Sequence, residues 1–347
     1  MNKTLVSVAL VAACSQSNLV SAETNVSTKG GLKVTSGEHS VQFGGRIQYD
    51  YFNTELNGET IDDQFDLRRG RVFVKGNVSS DWHFKVNYNV NGGGTEDMYV
   101  RYTGWGGKAV VTVGKQHQAF TLEQLMSSKD IAIIERSAIT ERYLIGRKDG
   151  IQLHGNTERL HYAIGAFSEE EADDTKEEEF GIAGRVAYLP YKSDNGLVHL
   201  GASYKDIDDI SGSGVELAAT SGAFYFQTEF FQQEQDSQQD IDGFYVQLAY
   251  TLTGEKRPYK EGVFKRIKPS SKSGAWEVAA RFESGDGKFS DIELGSVDAE
   301  AYVIGVNYYA NDNLKISMSY SQGETAEFNE EGIKDEGKGL RASMLLA

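Results

Sequence analysis

Three guanidinium groups fall within four residues in Leu67-Arg68-Arg69-Gly70-Arg71. Held that close they repel one another unless an anion or a carboxylate lies among them, so the cluster is either an anion-binding surface or part of an ion-pair network. Further basic residues recur along the chain at Arg46, Lys75, Lys85, Arg101, Arg185, Arg281 and Lys315, each within a stretch of alternating apolar and polar residues. A succession of such groups on one wall can replace an anion's hydration stepwise without trapping the ion. The plainer alternative is a set of solvated strand residues, neutralised by carboxylates across the ladder. Other chemistry is poorly represented. His39, His83, His117, His154, His161 and His199 lack metal-ligand spacing, and no Gly-rich phosphate loop follows a strand and opens a helix. No motif marks a nucleophile either. The sequence therefore offers no catalytic residue, histidine-based metal site or cofactor, and points away from an enzyme.

The elements that must carry these cations are strands. Apolar residues at Trp82, Phe84, Val86 and Tyr88 alternate with His83, Lys85, Asn87 and Asn89, and the same period of two returns at 244–252, 276–282, 302–308 and 314–320. Composition agrees: 38 Gly, 18 Tyr and 17 Phe against 3 Pro suit an all-β chain. Sixteen strands are read at 41–54, 64–79, 82–90, 95–103, 109–116, 150–155, 159–167, 180–189, 197–205, 215–220, 223–233, 241–253, 274–284, 299–310, 313–321 and 338–347. The connections at 80–81, 104–108, 156–158, 221–222 and 311–312 are short and alternate with longer ones at 55–63, 117–149, 168–179, 206–214, 285–298 and 321–338, the pattern of an antiparallel transmembrane β-barrel. Segment 254–273 is long yet falls on the short-turn side. Trp82, Trp105 and Trp276 lie at or near connections on that side, where an interfacial girdle belongs. A soluble sandwich or solenoid would show similar alternation, so a secreted β-rich protein that binds carbohydrate or surfaces is the competing reading.

In a barrel whose apolar parity meets lipid, the opposite parity lines water. It carries Arg46, Arg69, Arg71, Lys75, Lys85, Arg101, Arg185, Arg281 and Lys315 together with Asp50, Asp97, Glu229, Glu277 and Glu283. By the same rule Arg68 points outward, to the rim, a lipid headgroup or a subunit contact. The longest connection, 117–149, is the third external loop, and its charges cancel: Glu123, Asp130, Glu135, Glu141 and Asp149 balance Lys129, Arg136, Arg142, Arg147 and Lys148. Acids on one side of an opening and bases on the other would create a transverse field; local ion pairs that merely shape the loop are the alternative. Residues 168–179 hold a dense acidic run, either solvated or suited to a divalent cation bridging to lipopolysaccharide phosphates. Segment 254–273 is basic and is expected at the periplasmic exit, drawing anions through or touching a partner.

The formal charge of −16, from 35 Lys+Arg against 51 Asp+Glu, disfavours nucleic acid as a partner. Most of that acidity falls in the external loops other than the third, which leaves the remainder of the chain net basic. The mean hydropathy of −0.45 excludes a bundle of membrane helices. Residues 1–22 read as a signal peptide, with a basic start, an apolar run from Thr4 to Ala13 and a small-residue cleavage site at Val20-Ser21-Ala22. Val11-Ala12-Ala13-Cys14 offers a lipoprotein box instead. A short N-terminal segment, 23–40, then precedes one barrel domain, 41–347.

Several stretches carry a resemblance. They are Phe43-Gly44-Gly45-Arg46-Ile47-Gln48-Tyr49-Asp50, Phe65-Asp66-Leu67-Arg68-Arg69-Gly70-Arg71 with Lys75-Gly76, and Val113-Gly114-Lys115 leading to Phe120-Thr121-Leu122-Glu123-Gln124-Leu125-Met126-Ser127-Ser128 and Glu135-Arg136-Ser137. Leu252-Thr253-Gly254-Glu255, Arg257-Pro258-Tyr259, Gly274-Ala275-Trp276-Glu277 and Gly305-Val306-Asn307-Tyr308-Tyr309 complete the set. In this order they resemble the phosphate- and pyrophosphate-selective porins, the porin O/P family of Gram-negative outer membranes. The resemblance implies a sixteen-stranded, trimeric outer-membrane barrel whose third external loop folds inward, and anion conduction along basic side chains. It makes Glu123, Lys129, Glu135, Arg136, Arg142 and Arg147 the constriction loop's charged residues. Small anionic or polar solutes, outer-membrane lipid and lipopolysaccharide are then the partners. Two features depart from the family: its usual terminal aromatic residue is replaced by Met344-Leu345-Leu346-Ala347, and the chain is acidic.

Overall fold

The computed structural model describes residues 24–28, 30–169, 179–208, 210–235, 240–285, 299–325 and 334–347. The expected signal segment and the core of the acidic run, 170–178, lie outside the described residues. In chain order the strands are β1 (Thr24–Ser27), β2 (Leu32–Ser36), β3 (His39–Leu56), β4 (Glu59–Asn77), β5 (Trp82–Asn89), β6 (Gly94–Tyr102), β7 (Val110–His117), β8 (Arg147–Asn156), β9 (Leu160–Glu169) and β10 (Glu179–Lys192). They continue as β11 (Gly196–Ile207), β12 (Ile210–Ser221), β13 (Phe224–Gln235), β14 (Ile241–Thr251), β15 (Tyr259–Lys260), β16 (Val263–Phe264), β17 (Ala275–Gly285), β18 (Ala299–Tyr309), β19 (Leu314–Thr325) and β20 (Glu336–Leu346). Two short helices, α1 (Leu122–Leu125) and α2 (Ala138–Tyr143), lie between β7 and β8.

Sixteen antiparallel strands, β3–β14 and β17–β20, form the closed wall. Each pairs with its neighbour, and β20 closes on β3 from Leu346 opposite Ile47 to Gly337 opposite Leu56. Closure removes the unpaired edges that hydrocarbon could not tolerate. Below the seam β3 pairs instead with β2, and β2 with β1, so the N-terminal segment is a hairpin extending the turn-side rim.

The period of two becomes two surfaces. Outward residues such as Ile151, Ile182, Val215, Leu248, Ile304 and Ile316 stand exposed all round the barrel, a belt that suits lipid and would be costly in water. Aromatic contacts rim the short-turn end, Trp82 with Tyr102, Tyr102 with Trp105, Phe224 with Tyr250 and Trp276 with Tyr308. Tyr49 with Phe65 and Phe282 with Tyr302 mark the other end. Tyr302 and Tyr308 share β18 and stand roughly 20 Å apart along it, close to the height of such a belt.

The structure corrects three local expectations. Connections 55–63 and 206–214 are not loops: β3 and β4 run on to a tight turn at Asn57-Gly58, where φ is 51° and 84°, and β11 and β12 pair up to Ile207 opposite Ile210. Asn-Gly tolerates the left-handed backbone such a turn requires. Arg147, expected in the third loop, begins β8 opposite His117. The largest correction concerns 254–273. Its ends stay exposed at the turn side, where Lys256 donates to the Asp194 carbonyl, but its middle folds up into the barrel, burying Arg257, Val263, Phe264 and Ile267. There Val263 and Phe264 pack with Leu122, Met126, Ile131 and Ile133 from the third loop and with Tyr225, Ala249 and Ala279 from the wall, so the apolar core lies inside the barrel.

Candidate constriction and conduction pathway

The third loop is held inside by side chains of the wall. At the start of α1 the Glu229 carboxylate accepts the backbone N–H groups of Leu122 and Glu123 at 2.7 and 2.8 Å, satisfying donors that a helix start leaves free. Further along, Lys315 donates to the Ile131 carbonyl at 3.0 Å, Asn307 to Ala132 at 2.6 Å, Arg281 to Glu135 and Arg136 at 3.1 and 3.2 Å, and Lys205 to Tyr143 at 2.7 Å. From the opposite end of the barrel Arg257 donates to the Asp130 carbonyl at 2.6 Å while pairing with Glu277 at 2.5 Å. Loop and inserted segment thus fill one side. A cavity of about 1020 Å³ remains along the β3–β9 wall.

The nine cations of polar parity divide accordingly. Arg46, Arg69, Arg71, Lys75, Lys85 and Arg101 line the cavity; Arg185, Arg281 and Lys315 do not. Arg281 and Lys315 hold the third loop, and Arg185 binds Glu216 and the Gly262 carbonyl under the inserted segment. Of the loop's expected charges, Lys129, Arg136 and Arg147 line the cavity. Arg136 donates to the carbonyls of Glu123, Gln124 and Met126, stapling the loop to itself. Glu123 is buried, accepting from Ser137 N–H and the Thr140 hydroxyl, and Arg142 is exposed on α2.

Two bulges change which charges face inward. On β4, Gln48 opposes Arg69 and Tyr49 opposes Leu67, leaving Arg68 as the extra residue. Arg68 therefore does not point outward: it reaches Glu135 at 3.0 Å, beside Arg69 at 2.9 Å and Arg341 at 3.3 Å. On β6, Asn87 opposes Asp97 and Tyr88 opposes Thr95, so Glu96 is extra and turns in with Asp97. The result is a chain of ion pairs, Arg71 to Glu96 at 2.5 Å, Glu96 to Arg147 at 2.7 Å, Arg147 to Asp97 at 2.7 Å and Asp97 to Lys85 at 2.6 Å. Alternation alone did not find Glu96. Arg46, Lys75, Arg101 and Lys129 have no carboxylate at salt-bridge distance among the described residues. Arg46 donates instead to Ser128 at 3.0 Å and Gln48 at 2.7 Å.

Burial pushes the Glu135 carboxyl up, but Arg69, Arg68 and Arg341 outweigh it and hold it at about 2. A carboxyl depressed by folding stabilises fully above its ordinary value and loses that contribution as pH falls through the depressed one. The contribution of Glu135 to thermal resistance is thus expected to hold down to about pH 4.5 and to erode between there and about 2. Glu135→Gln should flatten that part of the acid limb when heat-dependent gel mobility is followed across pH; an unchanged limb would remove Glu135 from the account.

The family model described as "Phosphate-selective porin O and P" matches residues 41–206 and 193–346. Porin O of Pseudomonas aeruginosa is 30% identical over 400 residues, covering 91% of this chain and 90% of that protein. An anion-selective porin from Comamonas acidovorans superposes with a TM-score of 0.60 at 14% identity, over 89% of this chain and 100% of that one. The trimer form of OmpT from Vibrio cholerae does so at 0.52 and 12% identity, over 89% and 99%. The two solved porins speak for the fold alone. A closed wall with an apolar belt disfavours the soluble alternative, and with the family match it shows an outer-membrane channel whose chain belongs to the phosphate-selective porin O and P family.

Proposed function

We propose that this porin passively conducts small anions, inorganic phosphate among them, as a homotrimer exported by way of residues 1–22. The observation that carries the reading is the set of four cations without a carboxylate partner among the described residues, Arg46, Lys75, Arg101 and Lys129, along one cavity. The ion-paired residues beside them keep the wall in shape, while these four can exchange water for a passing anion. The anion selectivity of the Comamonas porin and the name of the family support the choice of solute, and the trimer form of OmpT supports the assembly. Outer-membrane lipid meets the apolar belt. The lipopolysaccharide bridge falls on residues outside those described.

Reversal potentials in planar bilayers under a KCl gradient test the selectivity. The expected result is a potential on the chloride side and a chloride current that phosphate reduces. A cation preference would overturn the reading.

A further inference from the structure

We propose that the turn-side half of the cavity is a binding surface for the planar organic group of a phosphate monoester, so that the pore takes ring-bearing phosphate esters, nucleoside monophosphates being one kind, in preference to alkyl ones. The inference rests on the phosphate reading above and names a narrower class of solute for the same passage.

Size is the first argument. Pockets of roughly 300–1,000 Å³ accept drug-sized molecules, and a cavity of about 1020 Å³ is far larger than inorganic phosphate needs. The second argument is the lining. Phe73 and Tyr99 occupy inward positions and both line the cavity, on a wall where charged, amide and imidazole side chains predominate. Gly44 lies opposite Phe73, and a Cβ there would stand 2.3 Å from the ring, so the glycine lets the ring lie flat against the wall. Over each ring lies a cation with no carboxylate partner among the described residues: the Lys75 ammonium 5.3 Å from the Phe73 centroid and the Arg101 guanidinium 4.8 Å from that of Tyr99. A planar electron-rich group can layer onto such a cation-covered ring, on the guanidinium face directly and on Phe73 as the flexible ammonium swings aside.

Spacing is the third argument. Arg46 opposes Arg71, and Phe73 lies two residues farther toward the turns, about 7 Å along the strand. Lys75 and Tyr99 both oppose Lys85, which sets them about 10 Å apart across the wall. A phosphate at Arg46 and Lys129 would therefore leave its ester group over Phe73, with Tyr99, two strands farther round the wall and two residues nearer the turns, as the surface a longer ester meets next.

Block of the chloride current by phenyl phosphate, methyl phosphate and orthophosphate, measured on the full-length porin in planar bilayers, tests this. Phenyl phosphate is expected to block at about tenfold lower concentration than methyl phosphate, ~1.4 kcal/mol, and Phe73→Leu with Tyr99→Leu should bring that ratio to about one. Equal potency of the two esters in the unaltered protein, which needs no variant to assemble, would overturn the proposal and leave the phosphate reading standing. A tenfold ratio that survives both substitutions would overturn the assignment to these rings. If neither ester nor orthophosphate reduced the chloride current, the phosphate reading itself would fall.

Discussion

Arg257→Ala is expected to destabilise the barrel by roughly 3–5 kcal/mol and to release the constriction, because it leaves a buried carboxylate without its charged partner. Arg257 is 2% exposed. It pairs with Glu277, donates to the carbonyls of Asp130 and Lys265, and stacks 4.7 Å from the Tyr225 ring, so one guanidinium ties the wall to the third loop and to the inserted segment. Asn307 and Tyr309 still donate to Glu277, at 3.0 and 2.7 Å, and keep the loss toward the lower end of that range. The readouts are the temperature at which heat changes gel mobility and the noise of the open channel. A lower temperature and a noisier, larger conductance are expected. Arg257→Met with Glu277→Gln should recover part of the stability, since both charges leave the interior together. Unchanged mobility and conductance would show that the clamp does not hold the loop.

Arg46→Ala with Lys129→Ala is expected to lower the chloride-to-potassium permeability ratio about tenfold, ~1.4 kcal/mol. One unit charge 4 Å from a passing ion is worth about 4 kcal/mol at an effective dielectric of 20, and retained water and salt screening reduce that several-fold. Both residues line the cavity without a carboxylate partner among the described residues, and they lie close together: Arg46 on β3 donates to Ser128, the residue before Lys129. Block by phosphate, which needs direct coordination, should weaken more than the permeability ratio does. Arg281→Ala is the comparison, because its guanidinium faces the loop; it should change heat resistance more than block. Equal loss of phosphate block in both variants would mean that the anion does not bind at the opening.

Period-two alternation made the wall legible, because a strand between lipid and water must separate its side chains onto two faces. The same rule failed at Arg68 and Glu96, where an extra residue in one strand reverses the facing, and pairing geometry decides that rather than composition. Parity also could not divide Arg46 from Arg281 or Lys315. All three point inward, and only the side on which the loop lies makes one a lining residue and the others anchors. That side did leave a trace: Ala249 and Ala279 occupy inward positions where an open lumen would be expected to show polar groups. The inserted segment was misread through its lysines, although Val263, Phe264 and Ile267 among them needed a place away from water.

Glu135 has a consequence for the mechanics of the barrel. Its carboxylate holds Arg69 on β4 and Arg341 on β20, which flank β3 and so straddle the line along which the last strand meets the first. Beside it Ser343 of β20 donates to Asp50 of β3 at 2.5 Å across 293 residues of chain. An inward-folded loop placed in this way works as a clasp over the closing joint, resisting lateral parting of the wall from within as well as narrowing the passage it spans.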